Sequence, residues 1–283
     1  VNTTSIVERT PEQQRRYDFF LHLTGWGELT ADTTVALVCI EDGGPAWLQR
    51  AVKGGLVDRS YSEVDAEIAK HSVPAPACEV KGFRFIPDPT EDSPQKGATE
   101  RTQVRTAWRL RKEYDRTFSE GCETYWRHYG RQYEVVGNLF PFAKPKADVD
   151  LSPRMKDFVG YAQHTSLDDI HNDVLPTRLD GLAQLAKILA QRKCGLMVFM
   201  GLLKYEEKII RRLLNTYRRW DAGGEHRVFP GHHPYRQKRT IHCWQHSGNT
   251  PTLCFVDDAT RRFTPAVCEK LIEYLASIGW PSK

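Results

Sequence analysis

Apolar and polar positions along the chain fall into segments of two different periods. Near the N-terminus, Thr10, Pro11 and Gln13 form a helix-start pattern: a capping hydroxyl, a proline in the first turn, and an amide three residues after the cap. Tyr17, Phe20 and Leu21 then recur on one face. The run TTVALVCI is continuously apolar rather than alternating, which predicts a strand buried on both faces from Thr34 to Ile40, closed by the glycine turn of EDGGP. Further strands are predicted from Tyr133 to Asn138, stopped by Pro141 and Pro145, then within CGLMVFMG from Cys194 to Gly201, and from Arg239 to Trp244, ended by QHSGN.

Helical periods fill the intervals. A basic helix is predicted between Glu100 and Arg116, and another helix carries Leu182, Leu185 and Leu189 on one face. A third runs from Lys204 to Trp220. The last is capped by Thr264 and Pro265, with Val267, Leu271, Ile272, Leu275 and Ile278 as its stripe. From Val73 to Gly97, five prolines predict an extended excursion, and the stretch after Pro145 reads as irregular to about Pro176. Four strands separated by helices predict an α/β fold, a four-stranded and mainly parallel sheet flanked by helices. No repeat or linker divides the chain. It reads as a single domain over residues 1–283, with an N-terminal helical extension over about 1–32 and an insertion over about 73–131.

With 283 residues and 40% hydrophobic content, the chain is large enough to bury a core. The longest apolar runs, Val35 to Ile40 and Leu196 to Leu203, are far shorter than the roughly 20 residues of a membrane helix. Seven cysteines without a CxxC pair, and a start lacking a basic flank and apolar leader, predict a cytoplasmic protein with reduced thiols. The net charge of +4 is mild, but the cations are clustered. Arg101, Arg105, Arg109, Lys112 and Arg116 recur at spacings of three and four, and Arg227, Arg236, Lys238 and Arg239 follow one another between Asp221 and Arg239. Such stripes suit a solvated face as well as a polyanion, and only an adjoining site decides between them.

Ligands of parallel α/β sheets gather where the strands' carboxyl ends open into loops. The predicted strand ends carry Glu41 and Asp42, then Asn138, then Gly201, then His246 with Ser247. A carboxylate, an amide and an imidazole supply what glycosidic cleavage at a nucleoside requires. These are negative charge against an oxocarbenium-like sugar, a donor and acceptor for the base, and a donor for the leaving oxygen. Singly, an Asp before two glycines forms turns, an Asn ends strands, and a His is structural; their joint placement selects them.

The same positions resemble the uracil-DNA glycosylase superfamily, from about Val35 to the C-terminus. IEDGG at Ile40 to Gly44 is similar to the family's GQDPY, which puts Asp42 in the catalytic aspartate's place. GFRF at Gly82 to Phe85 is similar to GLCF, whose last aromatic stacks on the extruded base, and so implies Phe85 as the platform. EVVGNLFPF places Asn138 where the family's LLLNAVLTV has the asparagine that reads the base edge, and GLMVFMG is similar to GLVFLLWG. QHSGN resembles the HPS motif, which implies His246 as donor to the base carbonyl and Ser247 beside it on DNA. Two motif prolines are missing, and the tyrosine that blocks 5-methylated bases is replaced by Gly44.

The resemblance implies a monofunctional DNA glycosylase that flips a pyrimidine from DNA and hydrolyses its N-glycosidic bond to leave an abasic site. It implies no metal or organic cofactor, no membrane and no obligate protein partner. DNA contacts are expected from Arg101, Arg105, Arg109, Lys112, Arg236, Lys238, Arg239 and Ser247, with Leu253 or a neighbour as the inserting wedge. Gly44 in place of the tyrosine implies a 5-modified pyrimidine, such as glucosylated hydroxymethylcytosine in phage DNA, and hence antiviral defence. Uracil excision in base-excision repair is the alternative. Two further alternatives are a zinc-dependent hydrolase or nuclease and a catalytically silent DNA-binding module. The zinc reading draws on His226, His232, His233, His242, Cys243 and His246, six residues of competent ligand types within twenty-one positions. On an extended strand, however, His242 and His246 face one way and Cys243 the other.

Overall fold

The computed structural model describes residues 8–26, 29–41, 61, 65–66, 68–69, 84–86, 98–125, 134–142, 150–192, 194–216, 225–233, 236–245, 251–256 and 265–281. Its strands are β1 (Leu23–Trp26), β2 (Val35–Glu41), β3 (Arg84–Ile86), β4 (Glu134–Phe140), β5 (Leu196–Met200), β6 (Glu225–His233), β7 (Arg236–Gln245) and β8 (Thr252–Val256). The helices described are α1 (Pro11–His22), α2 (Ala98–Tyr114), α3 (Cys122–Tyr125), α4 (Pro153–Val159), α5 (Leu167–Ala190), α6 (Glu206–Thr216) and α7 (Pro265–Ser277). All eight strands join one sheet in the order β3-β1-β4-β2-β5-β8-β7-β6.

The central four, β4-β2-β5-β8, are mutually parallel. They are the continuously apolar runs, and the reason is visible in the packing, since both faces of each strand are covered. Ala36, Val38, Val135, Leu139, Met197, Phe199, Leu253 and Phe255 belong to one core with α1, α4, α5 and α6. Val35, Leu37, Cys39, Val136, Val198, Met200, Cys254 and Val256 belong to the other, with α2 and α7. Phe199 and Phe255 stack at 4.4 Å across β5 and β8, each fully buried. Burial of each such ring contributes roughly 1.5–3 kcal/mol.

The α/β class and the parallel core agree with the sequence pattern; the edges do not. The segment from Arg239 to Trp244, expected as the fourth parallel strand, lies within β7, which runs antiparallel to β8 and to β6. The fourth parallel strand is β8, whose five residues are all buried. The connection explains the difference, because six residues separate Gln245 from Thr252. That suffices for a hairpin but not for the crossover of a dozen or more residues that a parallel neighbour demands.

Capping chemistry set the N-terminal helix as expected. Thr10 Oγ1 accepts from the Gln13 backbone N–H at 3.3 Å, and Gln13 Oε1 accepts from the Thr10 N–H at 3.0 Å. The stretch before Pro176, expected to be irregular, is instead α4 and the first half of α5. Ser166 caps α5 by accepting from Asp169 N–H, and Asp168 and Asp169 sit favourably in its first turn. Pro176 lies inside the helix, where a proline costs about 3 kcal/mol. Eleven buried residues, from Ile170 to Leu189, outweigh it.

Candidate functional site

In the parallel block the chain steps from β2 outward to β4, then across β2 to β5 and on to β8. The crevice outside the carboxyl ends of β2 and β5 is therefore the switch point at which such sheets bind ligands. β5 ends at Gly201, whose φ of +70° is the left-handed turn that glycine accepts at no steric cost. Its N–H donates to the Val256 carbonyl at 2.8 Å and ties the ends of β5 and β8 together.

Asn138 sits at this edge. Cross-strand register places it level with Cys39, Met200, Val256 and Ile241, in the last full row of the sheet. It is 4% exposed, yet among the described residues no hydrogen bond engages its side-chain amide. Its backbone, by contrast, is firmly held. The Arg178 guanidinium, from α5 and itself buried, donates to the carbonyls of Asn138, Leu139 (3.2 Å), Leu21 (3.1 Å) and Leu23. Arg178 thus pins β4, β1 and the end of α1 together behind the asparagine.

Two residues beyond Asn138, Phe140 pairs with Glu41 of β2, the residue that precedes Asp42 in the chain. The Phe140 ring stacks on the His171 imidazole at 3.7 Å and 16°, and meets Tyr205 edge-on at 5.3 Å. Phe140 is buried, whereas His171 and Tyr205 are partly exposed. From the sequence alone His171 falls in the stretch that reads as irregular, up to about Pro176. The run Ile170, Val174, Leu175, Leu179 and Leu182 on either side of Pro176 was the signal for a helix there.

Asp42, Gly44, His246 and Ser247 lie outside the described residues. Phe85 is on β3, whose register sets it level with Gly25 and hence with Gly137. Its backbone is at the same end of the sheet as Asn138, two strand spacings or about 10 Å away. The position of the strand before His246 overturns the premise that selected this residue. Trp244 is level with Leu253, at the amino ends of the parallel strands. Gln245, the last residue of β7, is therefore four rows from Asn138 along the strands, about 13 Å, and four strand spacings across, about 19 Å. The four predicted strand ends do not share an edge. Leu253 is fully buried and paired with Met197 in the sheet interior, so it is no wedge.

The basic segments divide. On α2, Arg105 is exposed, Arg109 is paired with Glu269 of α7, and the Lys112 amine lies 4.2 Å over the Trp108 ring; the Arg101 side chain is outside the described residues. Arg236, Lys238 and Arg239 fall on the first half of β7, and their side chains too lie outside the described residues. Since Ile241 is level with Val256, residues 236–240 and their partners on β6 overhang the carboxyl edge.

Of the proposed zinc ligands, His242 and Cys243 lie on opposite faces. His242 Nδ1 and Trp244 Nε1 approach the Glu206 carboxylate at 2.6 and 2.8 Å, while Cys243 is buried in the other core. The two cannot share an ion. Among the described residues no group of three metal-ligating side chains gathers, and no helix is long and apolar enough to cross a membrane. Comparison of the chain with protein-family models, curated proteins and solved structures found no match.

Proposed function

We propose that the carboxyl edge of the parallel strands is the site of a DNA glycosylase acting on a flipped pyrimidine. The observation that carries the reading is Asn138, whose side-chain amide stands at the carboxyl edge of the parallel strands with no hydrogen bond among the described residues. An amide offers one acceptor and a two-proton donor, the set that pairs with the edge of a pyrimidine. A base entering the crevice would give that amide a partner.

Asp42 follows Glu41 at the end of β2, the strand next to Asn138. In the reaction proposed, the C1′–N bond breaks with its electron pair going to the base. A water oxygen bonds C1′, its proton passes to the Asp42 carboxylate, and the anionic base is protonated by solvent. Asp42 also offsets the positive charge that develops on the sugar. The backbone of residues 236–240 overhangs the same end of the sheet as Asn138, and the sequence there, with Arg236, Lys238 and Arg239, suits contact with a phosphate backbone. Gly44, in place of a bulky wall, favours a pyrimidine substituted at C5 over uracil alone, and a defence role against DNA carrying such bases.

The test is strand scission after alkali, on duplexes containing uracil, a thymine mismatch or glucosylated hydroxymethylcytosine. Scission is expected with the last, and Asp42→Ala should abolish it while DNA binding persists. Cleavage of uracil alone would remove the wide-pocket inference, and DNA binding without any abasic product would make the chain a silent binding module.

A further inference from the structure

We propose that Cys243 and Cys254 are a dithiol–disulfide pair whose oxidised form fastens β7, and with it the β6–β7 hairpin, to the parallel block of the sheet. The proposal stands apart from the base-excision reading, since it rests on how β7 meets β8. In that antiparallel ladder Cys243 is directly opposite Cys254. Residues so placed have Cα atoms about 4.5 or 5.5 Å apart, according to which of the two kinds of pair they form, and a disulfide spans about 4.4–6.8 Å. The backbone need not move.

Both side chains enter the core shared with α2 and α7, where Cys243 is 1% exposed and Cys254 fully buried. Burial first, and then a hydrogen bond with Cys243, push the Cys254 thiol well above its ordinary range. The two sulfur atoms are therefore neighbours. Among the described cysteines, no other two are set opposite each other by the sheet. Cys39, on β2, is two strand spacings or about 10 Å from β8, too far to bond Cys254.

In the closed sheet the pair is inert, because the attacking species is a thiolate and burial suppresses it. The bond forms while β7 is away from β8, during folding or when the hairpin opens. β6 and β7 are the last two strands of the sheet, so that opening leaves the parallel block intact. The oxidant is a low-molecular-weight disulfide such as oxidised glutathione. One cysteine thiolate attacks it, giving a mixed disulfide and one departing glutathione thiolate, and the second cysteine thiolate then displaces the other. The two cysteines lose two electrons and two protons; the small disulfide gains both and leaves as two thiols. The new bond closes a loop over residues 243–254 and restricts the unfolded chain.

The full chain is refolded from urea in oxidised glutathione and, in parallel, in reduced glutathione, while folded protein is kept in the oxidised buffer. Free thiols are then alkylated and the digest is read by mass spectrometry. The refolded, oxidised sample should contain the peptide joined through Cys243 and Cys254, the folded sample should reach the same bond more slowly, and the reduced sample should lack it. The thermal midpoint of the bonded form should lie about 5 °C or more above that of the reduced form. Cys254→Ser should show one midpoint in both buffers. Absence of the joined peptide from both oxidised samples, or a bonded form no more stable than the reduced one, would overturn the proposal. A rise in Cys254→Ser equal to the parent's would overturn it too, by assigning the effect to other cysteines.

Discussion

Asn138 is held by its backbone and left open by its side chain, and the two halves predict opposite consequences. Replacing it with leucine removes an amide that makes no hydrogen bond with the described protein, so the urea midpoint should hold steady or rise by up to about 1 kcal/mol of stability. Base release should nonetheless be lost. A stability loss above about 2 kcal/mol would mean that the amide is structural. Arg178 is the counter-case. Arg178→Met strips donors from four carbonyls, Asn138, Leu139, Leu21 and Leu23, and chemical denaturation should show a loss of about 3 kcal/mol or more. At this scale the strand that carries Asn138 was legible, because EVVGNLF runs largely apolar up to Pro141. Arg178 was not, since nothing in its neighbours tells a buried arginine from a surface one.

Elements were legible wherever the signal was local. Thr10, Pro11 and Gln13 set α1, and the apolar runs gave β2, β4 and β5 to within two residues at most boundaries. Strand direction was harder, because it depends on the length of a connection rather than on the strand's own residues. The six residues from His246 to Pro251 are too few for a parallel crossover, so the end of β7 at Gln245 does not reach the carboxyl edge that a parallel reading of Arg239–Trp244 implies. The overhanging hairpin carries its own prediction. Replacing Arg236 and Lys238 together by glutamine should weaken DNA binding and reduce the slope of log affinity against log salt by about 2, one unit per phosphate contact, in a fluorescence titration. An unchanged slope would remove the hairpin from the interface.

A second element-scale consequence concerns the junction of α1, α4 and α5. Tyr17 and Tyr161 both donate to Asp173 Oδ2 at 2.7 Å, and Tyr61 donates to Asp157 Oδ2 at 2.8 Å. Burial first, and the carboxylate second, raise all three phenols above their ordinary range, Tyr61 to about 12. The unfolded chain ionises its tyrosines near pH 10 while these remain protonated in the fold. Stability from them is therefore complete below about pH 10 and declines as the pH rises toward the folded values. Thermal midpoints at pH 9 and 11 should fall across that interval, and the fall should be smaller in Tyr61→Phe. Asp65 works in the opposite direction. Its hydrogen bond from Arg16 lowers its pKa, so its contribution is present above the ordinary carboxylate range and is lost only in stronger acid.

For the molecule as a whole, four parallel strands open onto one edge, and that edge holds Asn138, Phe140 with His171, the turn at Gly201, and the end of β2 before Asp42. The opposite edge receives the end of β7. A basic hairpin stands over the first edge, and two helix layers close the faces. Base release followed by mass spectrometry is the most direct measurement. Parent protein and Asn138→Leu are each incubated with DNA containing glucosylated hydroxymethylcytosine, thymine mismatches or uracil, and the freed base is identified. The parent is expected to release the 5-substituted pyrimidine and Asn138→Leu to release none. Equal release by both, or none by either, would contradict a base-excision site at this edge.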